Sequence, residues 1–359
     1  MTAIAKGQFR QVRRILRLMP WSGFREQSGG VERNHPQDAA IGRKARIDME
    51  IILHLGAHRT ASTSFQHYMN ANRKVLEAQG IGYWSPDVTR DGVLTGVIPV
   101  AGRRTATEQL DRARGRIALR LHRAEAAGLR QLVVSDENMI GAPRRNLRDN
   151  RLYGGIGDRM ARFANAFDRR ITRVAVSVRG QDAWWSSAMA FAVGRGHRVP
   201  GPDDLGRLVT VNRHWRDVIT DLACAVPGAE ILVLPHEVYA GLPEEKLRQM
   251  TGIDSPPRKA AREWLNRAPD LEELRKLVTA RGGDAARLGE GTGRWRPFDR
   301  YQTLALQEAY SDDLFWLSAG ADGLARLTEE TGPVKAGQNP PIGQTTRGHP
   351  NDEEERRLA

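Results

Sequence analysis

Apolar residues form four short runs along the chain, and each run ends in glycine or polar residues. The runs lie at residues 51–55, 132–134, 171–180 and 230–241. Runs of this length that are rich in valine, isoleucine and leucine predict buried β-strands. Longer stretches of helical periodicity separate them, and strands that alternate with helices favour a parallel sheet. We therefore predict an α/β fold with a three-layer, open and mainly parallel sheet.

Between these runs, apolar residues recur at the three- and four-residue steps of amphipathic helices. The helices are predicted after residue 64, at 105–129, near 155–167, and at 181–194, 211–226, 258–280 and 299–317. Within 211–226 we expect Trp215, Ile219, Leu222 and Cys224 in the core. Segments 81–104 and 194–204 contain glycine and proline and are predicted loops, the first with acceptor contacts and the second as a lid.

The two ends of the chain differ in composition from its centre. Residues 1–20 place arginines between apolar residues, which is typical of a basic helix on an acidic membrane surface, and residues 22–46 are a polar linker. A solvated extension with no role is the alternative for this segment. We predict one domain over 48–325, an extension at 1–47, and a disordered tail at 326–359 that has few large apolar residues.

Composition narrows the class of protein. Hydrophobic residues make up 40% of the 359-residue chain and charged residues 27%, which suits a globular domain. The formal net charge of +12 favours anionic partners. A single cysteine, Cys224, rules out an internal disulfide and indicates a reducing compartment, and no apolar run approaches the ~18 residues of a spanning helix. We expect a cytoplasmic protein without a nucleic-acid partner, and peripheral membrane contact through residues 1–20 stays open.

The segment 51–66, IILHLGAHRTASTSFQ, carries the main chemical signal. A buried strand leads to Gly56, a turn of small and donor residues follows, and a helix begins near Ser64. A helix start that follows a strand and a tight turn presents unpaired backbone N–H groups, and the helix dipole there also favours negative charge. A phosphate is the natural ligand of such a turn.

The turn departs from the nucleotide-binding pattern G-x-x-x-x-G-K-[ST]. Gly56 and Thr63 supply its first and last positions, but Ala61 and Ser62 stand where glycine and lysine belong. The basic residue instead precedes the hydroxyl residues. This order disfavours an ordinary ATPase, although an unliganded strand-turn-helix corner remains an alternative.

The stretch His58-Arg59-Thr60-Ala61-Ser62-Thr63 resembles the 5′-phosphosulfate loop of the sulfotransferase family, Pro-Lys-Ser-Gly-Thr-Thr-Trp. Arg59 matches the lysine, Thr60 the serine, and Ser62 with Thr63 the threonine pair. His58, Ala61 and Ser64 replace proline, glycine and tryptophan. The resemblance implies a P-loop-like fold and the donor 3′-phosphoadenosine 5′-phosphosulfate, bound at residues 59–63 without a required metal.

Two further segments resemble that family. Arg179 follows the third strand and Ser187 comes eight residues later, the spacing at which the family holds the 3′-phosphate of its donor. The stretch Arg294-Trp295-Arg296, which follows three glycines, partly matches a late element that wraps the donor nucleotide. A plain flexible loop is the alternative for this last stretch.

The acceptor hydroxyl must lose a proton, and the resemblance places a base near the end of the second strand. Glu137 lies two residues after Ser135, where many members of the family carry a histidine and others a glutamate. His58 is the second candidate, and Asp136 could orient either one. The alternative is a merely structural Glu137 that caps a helix or pairs with a neighbouring arginine.

These observations lead to one expected function and two rivals. We expect an enzyme that transfers a sulfo group to a hydroxyl acceptor, with a carbohydrate or glycolipid as the preferred acceptor class. One rival is a P-loop kinase or ATPase, because LVVSDE (132–137) also fits a strand that ends in magnesium-binding acids. The other rival is a non-catalytic module that binds an acidic polymer or a membrane surface. The sequence does not specify an oligomeric state.

Overall fold

A computed structural model describes residues 49–211 and 213–328. The strands are β1 (Glu50–Gly56), β2 (Ile81–Trp84), β3 (Gln131–Ser135), β4 (Ile171–Val178), β5 (Glu230–Pro235) and β6 (Arg326–Leu327). They form one six-stranded sheet in the order β2-β3-β1-β4-β5-β6. Every pairing is parallel. The predicted α/β class with a parallel sheet is confirmed. The predicted extension at 1–47 and most of the predicted tail lie outside the described residues.

Helices follow most of the strands. They are α1 (Ser62–Ala71), α2 (Arg73–Ala78), α3 (Ala106–Ala126), α4 (Pro143–Asp149), α5 (Ile156–Ala166), α6 (Gln181–Gly194), α7 (Pro202–Thr210), α8 (Trp215–Ala225), α9 (His236–Tyr239), α10 (Pro243–Thr251), α11 (Leu271–Ala280) and α12 (Arg300–Ser318). Shorter helical turns cover Pro86–Val88, Thr89–Val93, Glu137–Ile140, Ala285–Leu288 and Ala321–Gly323. None of the described helices has the length and apolar character needed to cross a membrane.

Alternation along the strands divides the core between the two faces of the sheet. Ile51, Leu53 and Leu55 of β1 pack into a cluster with buried residues of α3, α5, α6 and α8. Ile52 instead packs with Phe65 of α1 and with residues of α10 on the other face. Helices therefore cover both faces, as a three-layer α/β fold requires.

The sheet order brings three sequence-distant strand ends together. β1 lies between β3 and β4, and all three run in the same direction. Ligands of open parallel sheets bind at the carboxyl ends of the strands, where the order reverses. The loop after β1, the turn after β3 and Arg179 after β4 share this edge of the sheet.

Several local predictions were wrong. The predicted loop 81–104 begins with the edge strand β2, and part of the predicted lid 194–204 belongs to α7, which starts at Pro202. Only 271–280 of the predicted helix 258–280 is helical, because Pro269 cannot continue a helix and the Asp270 carboxylate caps the start of α11.

The prediction that Cys224 belongs to the core is also wrong, because its side chain is exposed at the end of α8. Its predicted partners Trp215, Ile219 and Leu222 are buried. At the carboxyl end of the domain, Leu327 of β6 pairs with Val233, just beyond the domain boundary predicted at 325.

Candidate anion-binding site at the strand ends

The loop between β1 and α1 is a tight turn with an unusual backbone. Gly56, Arg59 and Ala61 have φ angles of 65°, 66° and 65°. This left-handed region is routine for glycine and uncommon for other residues. At Gly56 an added Cβ would lie 2.1 Å from Ser62 Oγ, so glycine is required there. Ala61 occupies the N-cap of α1 in the conformation that glycine favours.

Two backbone N–H groups of the loop have side-chain partners, and those that follow them have none among the described residues. Ala57 N donates to Thr60 Oγ1 at 3.2 Å, and His58 N donates to the Tyr153 hydroxyl at 3.0 Å. The N–H groups of residues 59–64 have no acceptor in the described part of the chain, and no side chain caps α1. Unpaired N–H groups at a helix start form a binding site for an anion.

The three predicted hydroxyl ligands differ in their surroundings. Thr60 is fully buried, and its hydroxyl donates to Ala57 O at 2.5 Å, so it braces the loop. Ser62 is 6% exposed, with its Oγ 3.4 Å from Ala57 O. Thr63 is half-buried, and its Oγ1 lies 3.4 Å from Asn266 Nδ2. Thr63 is therefore the most accessible of these hydroxyls.

Arg59, Arg179 and Ser187 lie together. Arg59 Nε donates to Ser187 Oγ at 3.1 Å, and Arg179 Nη1 donates to the Arg59 carbonyl at 2.8 Å. The Arg179 side chain is buried beneath the loop at 8% exposure. The loop after β1, the end of β4 and the second turn of α6 thus converge on one place.

The two arginines at this place have no ion-pair partner among the described residues, although Glu237 and Asp182 lie close enough to raise the pKa of Arg179. Neither Arg59 nor Arg179 forms an ion pair with any described carboxylate. Burial, followed by the charges of Arg179 and Arg195, lowers the pKa of Arg59 to about 10. Burial, followed by the charge of Arg294, lowers the pKa of Arg179 to about 10. Buried cations are unfavourable without an anion, so the site is suited to bind one.

An aromatic ring positions two of these cations. Phe191 of α6 lies between the guanidinium carbons of Arg59, 4.6 Å from the ring centroid, and Arg195, 3.5 Å from it. Such stacking holds a guanidinium in place while leaving its N–H groups free to bind other partners. Arg195 was not among the predicted site residues, because its position depends on the packing of α6.

The stretch 294–296, which was predicted to wrap the nucleotide, has one buried residue and two exposed ones. Trp295 is 5% exposed, and its indole N–H donates to the Leu288 carbonyl at 3.0 Å. Arg294 and Arg296 on either side of it are exposed. Together with Leu288 they line a cavity of about 300 Å³. Trp295 therefore anchors this loop to the core, and the two arginines face solvent.

Glu137 lies near the start of the loop, in the turn that follows β3. An added Cβ on Gly56 would lie 3.8 Å from Glu137 Cβ. Glu137 accepts hydrogen bonds from Gln66 Nε2 at 2.7 Å and from Arg90 Nη2 at 3.0 Å. Burial raises the pKa of Glu137, but these donors, with a backbone N–H and His58, outweigh it and hold the pKa below the usual value of a glutamate. Glu137 is thus ionised at neutral pH.

Both carboxylate oxygens of Asp136 accept hydrogen bonds that hold the turn after β3 in place. Arg90 donates from Nη2 to Asp136 Oδ1 at 2.7 Å and from Nε to Oδ2 at 3.2 Å, and the Thr89 hydroxyl donates to Oδ2 at 2.7 Å. Asp136 also caps the turn through Asn138 N. Arg90 lies within the segment predicted to be a loop, and no local pattern identified it as the partner of both carboxylates.

His58 has a partner at each ring nitrogen. Its Nδ1 lies 3.1 Å from the Tyr153 hydroxyl and its Nε2 lies 3.3 Å from Asn138 Oδ1. The Tyr153 hydroxyl accepts from His58 N, so it can donate to Nδ1, which leaves Nε2 to donate to Asn138. Burial lowers the pKa of His58, so the ring is neutral. No lone pair on this ring is then free to accept a proton.

A series of buried polar side chains leads from Glu137 into the core. Gln66 Nε2 also lies 3.3 Å from Ser135 Oγ, which in turn lies 2.7 Å from His54 Nδ1. His54, Ser135 and Gln66 are all buried. The sequence placed Ser135 at a strand end, but residues 54 and 66 were treated only as parts of a strand and a helix.

Within residues 49–211 and 213–328, no group of three histidine, cysteine or acidic residues could hold a metal ion. We compared the chain with protein-family models, with curated proteins and with solved structures, and none of the three comparisons found a match. Its function is therefore argued from the geometry of this site.

Proposed function

We propose that this protein is a sulfotransferase of P-loop-like architecture that transfers a sulfo group from 3′-phosphoadenosine 5′-phosphosulfate to a hydroxyl acceptor. The observation that carries the proposal is the convergence of Arg59 and Arg179 at one loop with free N–H groups, where neither arginine forms an ion pair with a described carboxylate. A ligand with phosphates at both ends of one ribose needs two such cations in one cleft.

The residues present fit this donor. Arg59, with the free N–H groups of residues 59–64, would hold its 5′-phosphosulfate. Arg179 and Ser187 would hold its 3′-phosphate, and Arg294 adds positive charge nearby. When bound, the donor supplies the sulfo group, and adenosine 3′,5′-bisphosphate leaves. Arg59 would stabilise the negative charge that develops on the departing phosphate oxygen.

Glu137 is the better supported base. It is ionised, 19% exposed, and fixed by Gln66 and Arg90, whereas both ring nitrogens of His58 are occupied. Glu137 would accept the acceptor's hydroxyl proton as the new bond from that oxygen to sulfur forms and the bond from sulfur to the phosphate oxygen breaks. A positioned base of this kind typically contributes about two to four orders of magnitude in rate.

The kinase alternative has less support. A kinase would need an acidic residue to hold magnesium after β3, and both oxygens of Asp136 are already bonded to Arg90. The loop also lacks the Gly-Lys pair before its hydroxyl residues. The membrane-binding alternative rests on residues 1–20, which lie outside the described chain.

Transfer of radiolabelled sulfur tests the proposal. Labelled donor would be incubated with the protein and with a panel of sugars, glycolipids and phenols, and labelled products would be counted. We expect transfer to at least one carbohydrate or glycolipid, reduced ~100-fold or more in Arg59→Ala. Arg216→Ala is the matched control, because Arg216 also lies over an aromatic ring, 4.8 Å from that of Trp316. Transfer that is equal in both variants would contradict the proposal.

A further inference from the structure

A second cavity opens beside the candidate site. Its volume is about 400 Å³, and it lies between the turn after β3, α4 and the start of α5. Residues that line it include Asn138, Gly141, Arg145, Asn146, Tyr153 and Arg159. This volume is in the range of small-molecule sites. Neither the segment predicted to contact the acceptor, 81–104, nor the predicted lid, 194–204, lines it.

The cavity adjoins the turn that contains the proposed base. Asn138 and Tyr153 both line it and both contact the ring of His58 in the β1 loop. Glu137 directly precedes Asn138 in the same turn. The cavity therefore lies beside both the turn that carries Glu137 and the anion-binding loop.

Positive charge lines the cavity. Arg159 donates from Nε to the Met139 carbonyl at 2.9 Å and from Nη2 to the Asn138 carbonyl at 2.7 Å, and it forms no ion pair with a described carboxylate. Arg145 pairs with Asp149 at 3.2 Å, and both side chains are exposed. The cavity thus has an arginine whose charge is not neutralised, with a second arginine close by.

One buried donor of the cavity wall also lacks a partner. Asn146 is 3% exposed, and its Oδ1 accepts a hydrogen bond from Tyr153 N at 3.1 Å. Its Nδ2 has no partner among the described residues. A buried amide donor without an acceptor is unfavourable, so a ligand oxygen in the cavity would satisfy it.

We infer that this cavity binds the acceptor, and that the acceptor is a small hydroxylated molecule bearing a carboxylate or a sulfate. The anionic group contacts Arg159, with Arg145 adding positive charge and Asn146 Nδ2 donating a hydrogen bond, while a hydroxyl faces Glu137. This inference rests on the proposed function and specifies its substrate class.

Calorimetry with three matched glycosides tests the inference. Methyl β-D-glucuronide, methyl β-D-glucoside 6-sulfate and neutral methyl β-D-glucoside would be titrated into the full-length protein, with and without adenosine 3′,5′-bisphosphate. We expect the glucuronide or the 6-sulfate to bind ~10-fold more tightly than the neutral glycoside. The tighter binder of the two shows whether the acceptor bears a carboxylate or a sulfate. Equal binding of all three glycosides, or binding of none, would overturn the inference.

Two arginines of α4 provide a matched control. Arg145 and Arg148 both contact Asp149, at 3.2 and 3.0 Å, but only Arg145 lines the cavity. Arg145→Ala and Arg159→Gln should each weaken binding of the preferred acid by about 5-fold or more, and Arg148→Ala by less than about 2-fold. Equal losses in Arg145→Ala and Arg148→Ala would overturn the assignment.

Titration with the nucleotide tests the proposed function separately from the proposed acceptor class. If the wild-type protein does not bind adenosine 3′,5′-bisphosphate, the proposed function fails. If the nucleotide binds and the two acids show no advantage over the neutral glycoside, only the acceptor inference fails.

Discussion

Arg59 donates a hydrogen bond from Nε to Ser187 Oγ at 3.1 Å, although 128 residues of chain separate the two. Arg179 completes the link by donating to the Arg59 carbonyl at 2.8 Å. The loop after β1 and the helix after β4 are therefore joined at the site itself. This connection makes the binding of two phosphate groups by one cleft a physical expectation, and each residue in it can be tested separately.

Removal of Arg179 should affect one phosphate of the ligand specifically. Arg179→Ala should lower the affinity for adenosine 3′,5′-bisphosphate by about 10- to 100-fold, because charge-assisted hydrogen bonds to the 3′-phosphate are lost. The affinity for adenosine 5′-monophosphate, which lacks that group, should change much less. Calorimetry with both nucleotides measures the difference.

Arg173→Ala controls for the loss of an arginine at the other end of β4. Arg173 lies near the start of β4 and pairs with Glu230 at 2.6 Å, away from the loop. The Arg173→Ala variant should bind both nucleotides as tightly as the wild-type protein does. Parallel losses for the two nucleotides in Arg179→Ala would count against a 3′-phosphate contact.

Ser187 should make a smaller contribution than either arginine. Ser187→Ala removes the hydroxyl that accepts the hydrogen bond of Arg59 Nε. The affinity for the sulfo donor should therefore fall by about 2- to 10-fold, as expected for the loss of one uncharged hydrogen-bonding group. Ser186→Ala is the matched control, because Ser186 Oγ donates to the Asp182 carbonyl within α6 at 2.6 Å. An equal or larger loss in Ser186→Ala would show that the helix, and not the Arg59 contact, determines affinity.

Glu137→Gln should separate chemistry from binding. The amide keeps the shape of the side chain but cannot accept the proton, so the turnover number should fall by about two to four orders of magnitude. The affinity for adenosine 3′,5′-bisphosphate should stay within a factor of about two, because the hydrogen bonds of Glu137 go to Gln66 and Arg90 and not to Arg59 or Arg179. Steady-state rates and calorimetry on the same preparation check both parts.

The pH profile should identify the base independently. Because neighbouring hydrogen-bond donors hold the pKa of Glu137 below the usual value of a glutamate, the carboxylate stays ionised at neutral pH and is protonated only as the pH falls through that lowered pKa. Turnover should therefore persist into acidic solution and decline only below the usual glutamate pKa of about 4.3. A decline at higher pH that disappears in His58→Gln would instead assign the base to His58.

Ala61 provides a stability test of the loop conformation. Its φ of 65° is costly for alanine and routine for glycine, and the difference is about 1 kcal/mol per residue. Ala61→Gly should leave the free energy of unfolding unchanged or raise it by up to ~1 kcal/mol. Ala61→Val should lower it by ~1–2 kcal/mol. Denaturant titration measures both, and a stabilising valine would contradict the left-handed turn.

The parallel sheet and its chemically active edge could be predicted from the sequence, because they depend on local patterns. Buried runs specified four of the strands, and the carboxyl ends of β1, β3 and β4 must then share an edge. Helix α6 has the predicted bounds, 181–194. Arg59, Glu137 and Arg179 each follow one of these strands, so the sequence could place all three at this edge of the sheet.

Other features depend on tertiary contacts that no local pattern encodes. β2 has only four residues and β6 only two, and each is defined by its pairing with a neighbouring strand. The pairing of Arg90 with Asp136 and Glu137 joins residues more than forty positions apart. The cavity next to Asn146 lies where the turn after β3, α4 and the start of α5 meet, so the sequence could not locate it.

Titration of adenosine 3′,5′-bisphosphate without metal, compared with ATP plus Mg²⁺, tests the central claim most directly. If Arg59 and Arg179 form one two-phosphate cleft, the bisphosphate should bind the wild-type protein more tightly than ATP with Mg²⁺. Its affinity should fall ~100-fold in Arg59→Ala. Tighter binding of ATP with Mg²⁺, or an Arg59→Ala variant that binds the bisphosphate as wild type does, would contradict the account.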